Sequence, residues 1–314
     1  MPEEAALVLP DAPPSSKGGV FALGNFDGVH RGHQAVVKIA LEKARGLGAP
    51  AHVLTLEPHP RSVFKPHIPP FRLTPAPAKI RFLKALGIED VIVLPFSRAF
   101  AEIPAKDFVQ QILVEKFAAR HAVAGFDFVF GHERLGNMQN LRAWLAPFNV
   151  GVTEVTPFRD AEGEIMSSSR TREALKEGDL KTAEHILGRP WSIAGKVKQG
   201  VQRGRQWSVP TANIELGEYL RPKFGVYAVN AGPIGGLLTH QGVANIGIRP
   251  TVDGKSELLE VHLFDFDRDI YGQEWEVELL DFIRPEQAFS DVNALRQQIM
   301  LDIEAAKARL ASPR

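Results

Sequence analysis

Gly24-Asn25-Phe26-Asp27-Gly28-Val29-His30-Arg31-Gly32-His33 decides how this chain begins to fold. Just before it, Val20-Phe21-Ala22-Leu23 reads as a short buried strand. Just after it, Val36, Val37, Ala40, Leu41 and Ala44 recur at helical spacing. The loop between them can offer backbone N–H groups and the positive end of a helix dipole to an anion. Gly24, Gly28 and Gly32 allow sharp turns and the close approach of a phosphate. His30 and His33 add donors that can become charged near neutral pH. A lone histidine at a helix start is usually a cap or a surface residue. The whole ten-residue string, in this order, favours nucleotide-phosphate binding.

Outward from this loop, residues 20 to about 156 alternate strand-like and helix-like runs. Strands are expected at Ala51–Glu57, Asp90–Pro95, Arg120–Phe130 and Val150–Val155. Helices are expected at Ala78–Leu86, Ala105–Phe117 and Leu135–Phe148. The rhythm predicts a parallel sheet with helices on both faces, whose ligands bind beyond the carboxyl ends of the strands. Short helical runs follow at Ser169–Glu177 and Leu180–Leu187. After Gly188-Arg189-Pro190 the pattern changes to short apolar runs split by Gly, Pro and Asn, at Gly225–Val229, Gly242–Ile246, Leu258–Phe264 and Trp275–Phe282. That spacing predicts an antiparallel sheet or small barrel. A terminal helix carries Val292, Leu295, Ile299, Ile303, Ala306 and Leu310 on one face, a packing stripe. The fold class is therefore α/β plus β, with a boundary near Leu187.

The bulk numbers narrow the function. With 314 residues, 44% of them hydrophobic, the chain can bury two cores. Its formal net charge is zero, so no global basic field favours nucleic acid or an anionic membrane. It has no cysteine, which excludes disulfides and Cys-ligated zinc or iron–sulfur sites. No run approaches the ~20 apolar residues of a membrane span, and the acidic, Pro-rich start lacks the basic region of a signal peptide. A cytoplasmic protein is expected.

Further polar clusters fall at predicted strand ends. Glu57-Pro58-His59-Pro60 closes the second strand, and Phe126-Asp127-Phe128-Val129-Phe130-Gly131 closes the fourth, followed by Arg134, Gly136 and Asn137. Ser167-Ser168-Ser169-Arg170-Thr171-Arg172 opens a helix. Capping is favoured for Ser169. For Arg170 and Arg172, phosphate contact is favoured over a surface salt bridge.

In the second half, Gly195 to Arg205 is a basic loop spaced by Gly195, Gly200 and Gly204, and Pro210-Thr211-Ala212-Asn213 follows. It lacks the Gly-Lys-Ser/Thr ending of a Walker A loop. A solvated hairpin is the plain reading and a flap over phosphates the favoured one. Asn245 to Thr251 reads as a turn. Glu260 and His262 share one face of a strand by period two. Glu260 is, with equal weight, a general base for a hydroxyl or an outward acidic residue.

Together these strings resemble bacterial bifunctional riboflavin kinase/FMN adenylyltransferases, the FAD synthetases. The resemblance spans nearly everything beyond the first ~17 residues, and its motifs occur in family order. It implies a Rossmann-like nucleotidyltransferase domain over 18–187 and a β-barrel riboflavin kinase domain with a C-terminal helix over 188–314. In the first, Gly24, Asn25, Phe26, Asp27, Gly32, Ser167, Ser168 and Arg170 would bind ATP, with His30 and His33 catalytic. His59, Asp127, Arg134 and Asn137 would form the flavin side. In the second, Gly195, Lys196, Gly200, Gly204, Arg205, Thr211 and Asn213 would bind ATP. Thr211 and Asn213 would hold Mg²⁺, and Glu260 would activate the riboflavin hydroxyl. Riboflavin, FMN, FAD, ATP, ADP and pyrophosphate are the partners implied, with no nucleic acid and no membrane. Phe64 and Phe128 are possible grips for the isoalloxazine ring, although core packing is the favoured role for both.

The chain departs from the family pattern in two places. Thr171 stands where an aliphatic residue is usual, and Trp207-Ser208-Val209 replaces Leu-Gly-Phe. The second departure bears on the kinase half, and two alternatives stay open: adenylyl transfer alone beside an inactive flavin-binding half, or, separately, a non-catalytic flavin-binding regulator.

Overall fold

The structure, a computed structural model, describes residues 16–199, 209–251 and 254–311. Its packing separates two units. The first runs to Pro69 and resumes over Thr74–Ser167; the second takes Pro70–Leu73 and everything from Ser168 onward.

In the first unit, β1 (Val20–Leu23), β2 (Ala51–Glu57), β3 (Asp90–Pro95), β4 (His121–Gly125) and β5 (Gly151–Val155) form one sheet in the order β3-β2-β1-β4-β5. Every neighbouring pair is parallel. Both faces are buried, and β1 shows why its four residues are all apolar. Val20 and Ala22 pack with Val36, Val37 and Ala40 of α1 (Arg31–Leu47) and Leu83 of α3 (Ala76–Ala85). Phe21 and Leu23 pack on the other face against Ile112 and Leu113, and against Leu141 of a later helix. Alternate side chains of one strand thus feed two cores.

Short helices α2 (Pro60–Phe64) and α4 (Arg98–Ala101) follow β2 and β3. The helix expected over 105–117 is divided. A three-residue turn, α5 (Ala105–Asp107), leads into a π-helix over Phe108–Lys116, closed by the Phe117 N–H donating to the Ile112 carbonyl. The strand expected to Phe130 stops at Gly125, because the Phe128 N–H turns back to the Gly125 carbonyl. After that loop, α6 (Met138–Leu145) returns to β5.

The second unit starts with α7 (Ser168–Glu177) and α8 (Leu180–Leu187). The six strands β6 (Trp191–Lys196), β7 (Ala212–Glu215), β8 (Gly225–Pro233), β9 (His240–Thr251), β10 (Gly254–Leu263) and β11 (Glu274–Pro285) follow. Their order is β6-β11-β8-β9-β10-β7. A bridge between Lys198 and Asn213 brings the two edges together, so the antiparallel sheet is nearly closed into a barrel. Closure also explains Gly195. It sits within β6, where a Cβ would meet Ile214 Cγ2 at 2.9 Å. Gly195 and Lys196 are therefore strand residues, a correction to the loop reading.

Asn245 to Thr251, expected as a turn, lies inside β9. Asn245 is paired with Val226 on one side and Glu260 on the other. A central strand whose ladder is satisfied on both edges overrides local turn propensity.

The last helix, α9 (Val292–Ala311), buries Ile303 and Ala306 with Val209, Val226, Ala228 and Val243. Ile299 and Leu310 pack beside them, as the stripe predicts. Val292 departs from it and is exposed, since the stripe begins to engage the barrel only further along the helix. Arg284 of β11 donates from Nε and Nη2 to both carboxylate oxygens of Asp302, at 2.8 and 2.7 Å. This planar fork fixes the rotation of α9 on the sheet.

Candidate active sites

A parallel sheet of order 3-2-1-4-5 has its crevice where the order reverses, between β1 and β4. The Gly24–His33 loop leaves β1 at that place, and the Phe126–Asn137 loop leaves β4 beside it. The first loop is sharply folded. Phe26, Gly28 and Val29 all have positive φ, 52°, 89° and 44°. For Phe26 and Val29 this is a disfavoured conformation that the surroundings must hold.

Asp27 supplies part of that hold. Its buried carboxylate accepts from the Thr74 N–H at 3.0 Å, and the Gly28 N–H donates to Thr74 Oγ1 at 2.8 Å. Asp27 thus fastens the loop to the segment before α3. Lys79, fully buried on α3, fastens the loop's first turn, donating to the Asn25 carbonyl at 3.2 Å.

His30 is the N-cap of α1, its Nδ1 accepting from the His33 N–H at 3.4 Å. In the neutral ring an Nδ1 that accepts carries no proton, which puts the N–H at Nε2. The two imidazoles stack with centroids 3.6 Å apart, and Phe26 packs on His33 at 5.2 Å. Gly32 has a steric reason. A Cβ there would meet the His30 ring at 3.1 Å and the Met166 carbonyl at 3.2 Å.

His59 caps α2, its Nδ1 accepting from the Arg61 N–H at 3.1 Å. Asp127 and Arg134 are exposed, and Asn137 caps α6 through the Asn140 N–H. The β4 loop closes on itself where Phe130 pairs with Gly136, at which a Cβ would meet the Phe130 ring at 2.7 Å. Phe128 is half-buried and stacks on Phe130 at 5.3 Å. Phe64 is 52% exposed, which corrects the expectation that it is a core residue.

Ser167 ends the first unit; Ser168 and Arg170 open the second, at the start of α7. Arg172 is employed elsewhere than expected. Its Nε donates to the Phe71 carbonyl at 2.9 Å, and its guanidinium lies over the Phe71 ring. Thr171, the departure from the family pattern, is fully buried on α7.

In the second unit a polar row crosses three strands. Glu260 on β10 lies opposite Asn213 of β7 on one side and Asn245 of β9 on the other. Directly opposed residues have Cβ atoms about 5 Å apart on the same face. The neighbouring row, Ile214, Leu259 and Ile246, points to the barrel core. Glu260 is therefore on the outer face, half-buried and flanked by two amides.

Two residues along, His262 Nδ1 lies 2.9 Å from the Pro210 carbonyl. A carbonyl only accepts, so Nδ1 carries the proton. The bond anchors the backbone next to Thr211. Val209, where the family usually has Phe, is buried among Val226, Ala228, Val243, Ile303 and Ala306. Gly200, Gly204, Arg205, Trp207 and Ser208 lie outside the described residues.

Burial lowers the His262 pKa, the Pro210 bond raises it less, and Lys307 nearby lowers it. A histidine whose folded pKa is depressed binds fewer protons folded than unfolded, so stability increases with pH there. Acidification from pH 7.5 to 5.5 should therefore destabilise the wild-type chain more than His262→Asn, as measured by urea unfolding at each pH. An equal loss in both would remove His262 from the account.

The comparisons with known proteins follow the same two parts. A family model described as FAD synthetase matches residues 12–170, and one described as riboflavin kinase matches 187–310. Bifunctional riboflavin kinase/FMN adenylyltransferases of Haemophilus influenzae and Pseudomonas fluorescens are 42% and 41% identical, over 93% and 96% of this chain and 94% and 95% of theirs.

The chain belongs to the bifunctional riboflavin kinase/FMN adenylyltransferase family.

A solved structure of a macrolide-efflux protein from Streptococcus pneumoniae also superposes, with TM-score 0.82 and 33% identity over 95% of each chain. In the present chain no helix among the described residues is long and apolar enough to cross a membrane. Against the family background, the residues that sequence reading missed are Thr74, Lys79 and the Asn245 amide. Only Lys79 left a signal: a lysine four residues before Leu83, on the buried face of an amphipathic helix.

Proposed function

We propose that this bifunctional enzyme runs its two reactions at two sites built from different residues, within catalytic domains 18–187 and 188–314. The riboflavin kinase match beginning at 187 supports that boundary. The observation that carries the division is the row Asn213–Glu260–Asn245, which puts a carboxylate on the barrel, whereas the paired histidines belong to the parallel-sheet unit.

At the barrel site, Glu260 accepts the proton of the riboflavin 5′-hydroxyl as its oxygen attacks the γ-phosphorus of ATP, and ADP leaves. Thr211 Oγ1 and the Asn213 amide oxygen are hard donors of the kind Mg²⁺ takes. Among the described residues no group of three or more His, Cys, Asp or Glu is placed to hold a metal ion. That donor set fits an ion held mainly by phosphate oxygens, where it would neutralise charge on the transferred group.

At the sheet site, the FMN phosphate attacks the α-phosphorus of ATP and pyrophosphate leaves. The nucleophile is already an anion, so no general base is needed. His30 Nε2–H, His33 and the first N–H groups of α1 stabilise the charge that develops, and Ser167, Ser168 and Arg170 bind ATP. Asp127, Arg134, Asn137 and His59 surround the flavin side. Consumption of ATP supports a cytoplasmic setting.

The test is product analysis. Purified protein with riboflavin, ATP and Mg²⁺ should yield FMN first and then FAD, with pyrophosphate released in step with FAD. FAD from added FMN but none from riboflavin would remove the kinase half of the proposal. No product from either flavin would remove both.

A further inference from the structure

Lys79 lies on α3 with its side chain fully buried. A buried ammonium is costly unless it is both paired and hydrogen-bonded. Here Nζ meets the Glu57 carboxylate at 2.6 Å and donates to Thr55 Oγ1 at 3.0 Å, both on β2. Those contacts would suffice to satisfy it. The third contact reaches the nucleotide loop, where Nζ donates to the Asn25 carbonyl at 3.2 Å. The Thr55 hydroxyl approaches the same carbonyl at 3.2 Å.

Two side chains therefore hold one carbonyl, and with it the plane of the Asn25–Phe26 peptide. In a trans peptide C=O and N–H point in opposite directions. The Phe26 N–H is thus turned away from Lys79. The next torsion, φ 52° at Phe26, belongs to a region that non-glycine residues leave unless held. Glu57 neutralises the ammonium in direct contact, so Lys79 acts through geometry and not as another cation on the phosphates.

We propose that Lys79 is a positioning residue for adenylyl transfer. By holding the Asn25 carbonyl, it presents the Phe26 N–H to the phosphates of ATP without itself touching the nucleotide. The proposal rests on the reading of the Gly24–His33 loop as the phosphate cradle.

The experiment uses the full chain and three variants: Lys79→Met, the neutral pair Lys79→Met with Glu57→Gln, and Thr55→Val. A non-hydrolysable ATP analogue should shift the Phe26 backbone amide resonance in the unmutated protein. In the neutral-pair variant that shift should be lost, with kcat for FAD formation from FMN about tenfold lower and the KM for FMN unchanged. Thr55→Val retains the ion pair and should fold. It removes one of the two contacts to the carbonyl and should cost about threefold in kcat. Formation of FMN from riboflavin should stay within about twofold throughout.

A Phe26 amide indifferent to the analogue in the unmutated protein would overturn the proposal. So would a Thr55→Val variant with unchanged kcat and unchanged Phe26 shift, even if both lysine variants fail to fold. If the unmutated protein makes no FAD from FMN and ATP, the reading of the loop itself has failed. If it does, and the variants do equally, only the role of Lys79 has failed.

Discussion

Glu260→Gln should lower FMN formation from riboflavin by about 10³-fold while leaving FAD formation from added FMN within about twofold. The substitution keeps the shape of the side chain while removing its negative charge and its ability to take a proton. Its neighbours across the strands, Asn213 and Asn245, are amides, so a third amide at 260 introduces no clash of charge. The surrounding ladder, Leu259 with Ile214 and Ile246, is apolar and independent of the substitution. The loss should therefore fall on kcat, with the KM for riboflavin little changed, because a proton acceptor matters in the transition state more than in binding. Initial rates with riboflavin and with FMN, measured on the same preparation, decide the matter. A Gln variant that still makes FMN at a tenth or more of the wild-type rate would assign the proton to another acceptor.

The second large effect is at His30, where two roles must be separated. The imidazole caps α1, and losing a cap costs about 1 kcal/mol. Asn is itself a good N-cap, so His30→Asn preserves the helix end and removes the Nε2–H donor. FAD formation should fall about 10²-fold, the size expected for one preorganised donor to a developing oxyanion, while FMN formation from riboflavin is maintained. His33→Asn is the companion, because the two rings stack and each restricts the other. The double variant should lose less than the product of the single losses, since either change unstacks the pair. A His30→Asn enzyme with full FAD formation would make the histidine a cap and nothing more.

Much of this architecture could be read from the residues because it rests on local rules. The apolar quartet Val20–Leu23, the glycine turn and the 3.6-residue stripe of α1 specify a strand, a loop and a helix in order. That order already places the histidines at the carboxyl edge of a parallel sheet. The double pairing of Asn245 was not legible, since turn-like composition is overruled only once β8 and β10 flank it. The role of Gly195 was equally hidden: its lack of a side chain matters because Ile214, nineteen residues on, closes the barrel against it. Asp27 shows the reverse case. Its place in the motif suggests ligand contact, while its carboxylate accepts the Thr74 N–H, a partner 47 residues away. Arg172 differs from expectation for the same reason, because its acceptor, the Phe71 carbonyl, lies 101 residues earlier.

Pro70–Leu73 carry a consequence for how the protein is made. These four residues precede most of the parallel sheet in the chain, yet their partners are late. The Arg72 carbonyl accepts from Leu220, the Glu218 carbonyl takes the Arg72 N–H, and Trp191 Nε1 donates to the Leu73 carbonyl across 118 residues. A ribosome releases the chain from its N-terminus, so this segment emerges long before anything it will dock to. The first half can complete its sheet only with a tethered stretch still waiting inside it. The second unit, translated alone from Ser168, would lack Leu73 from its core.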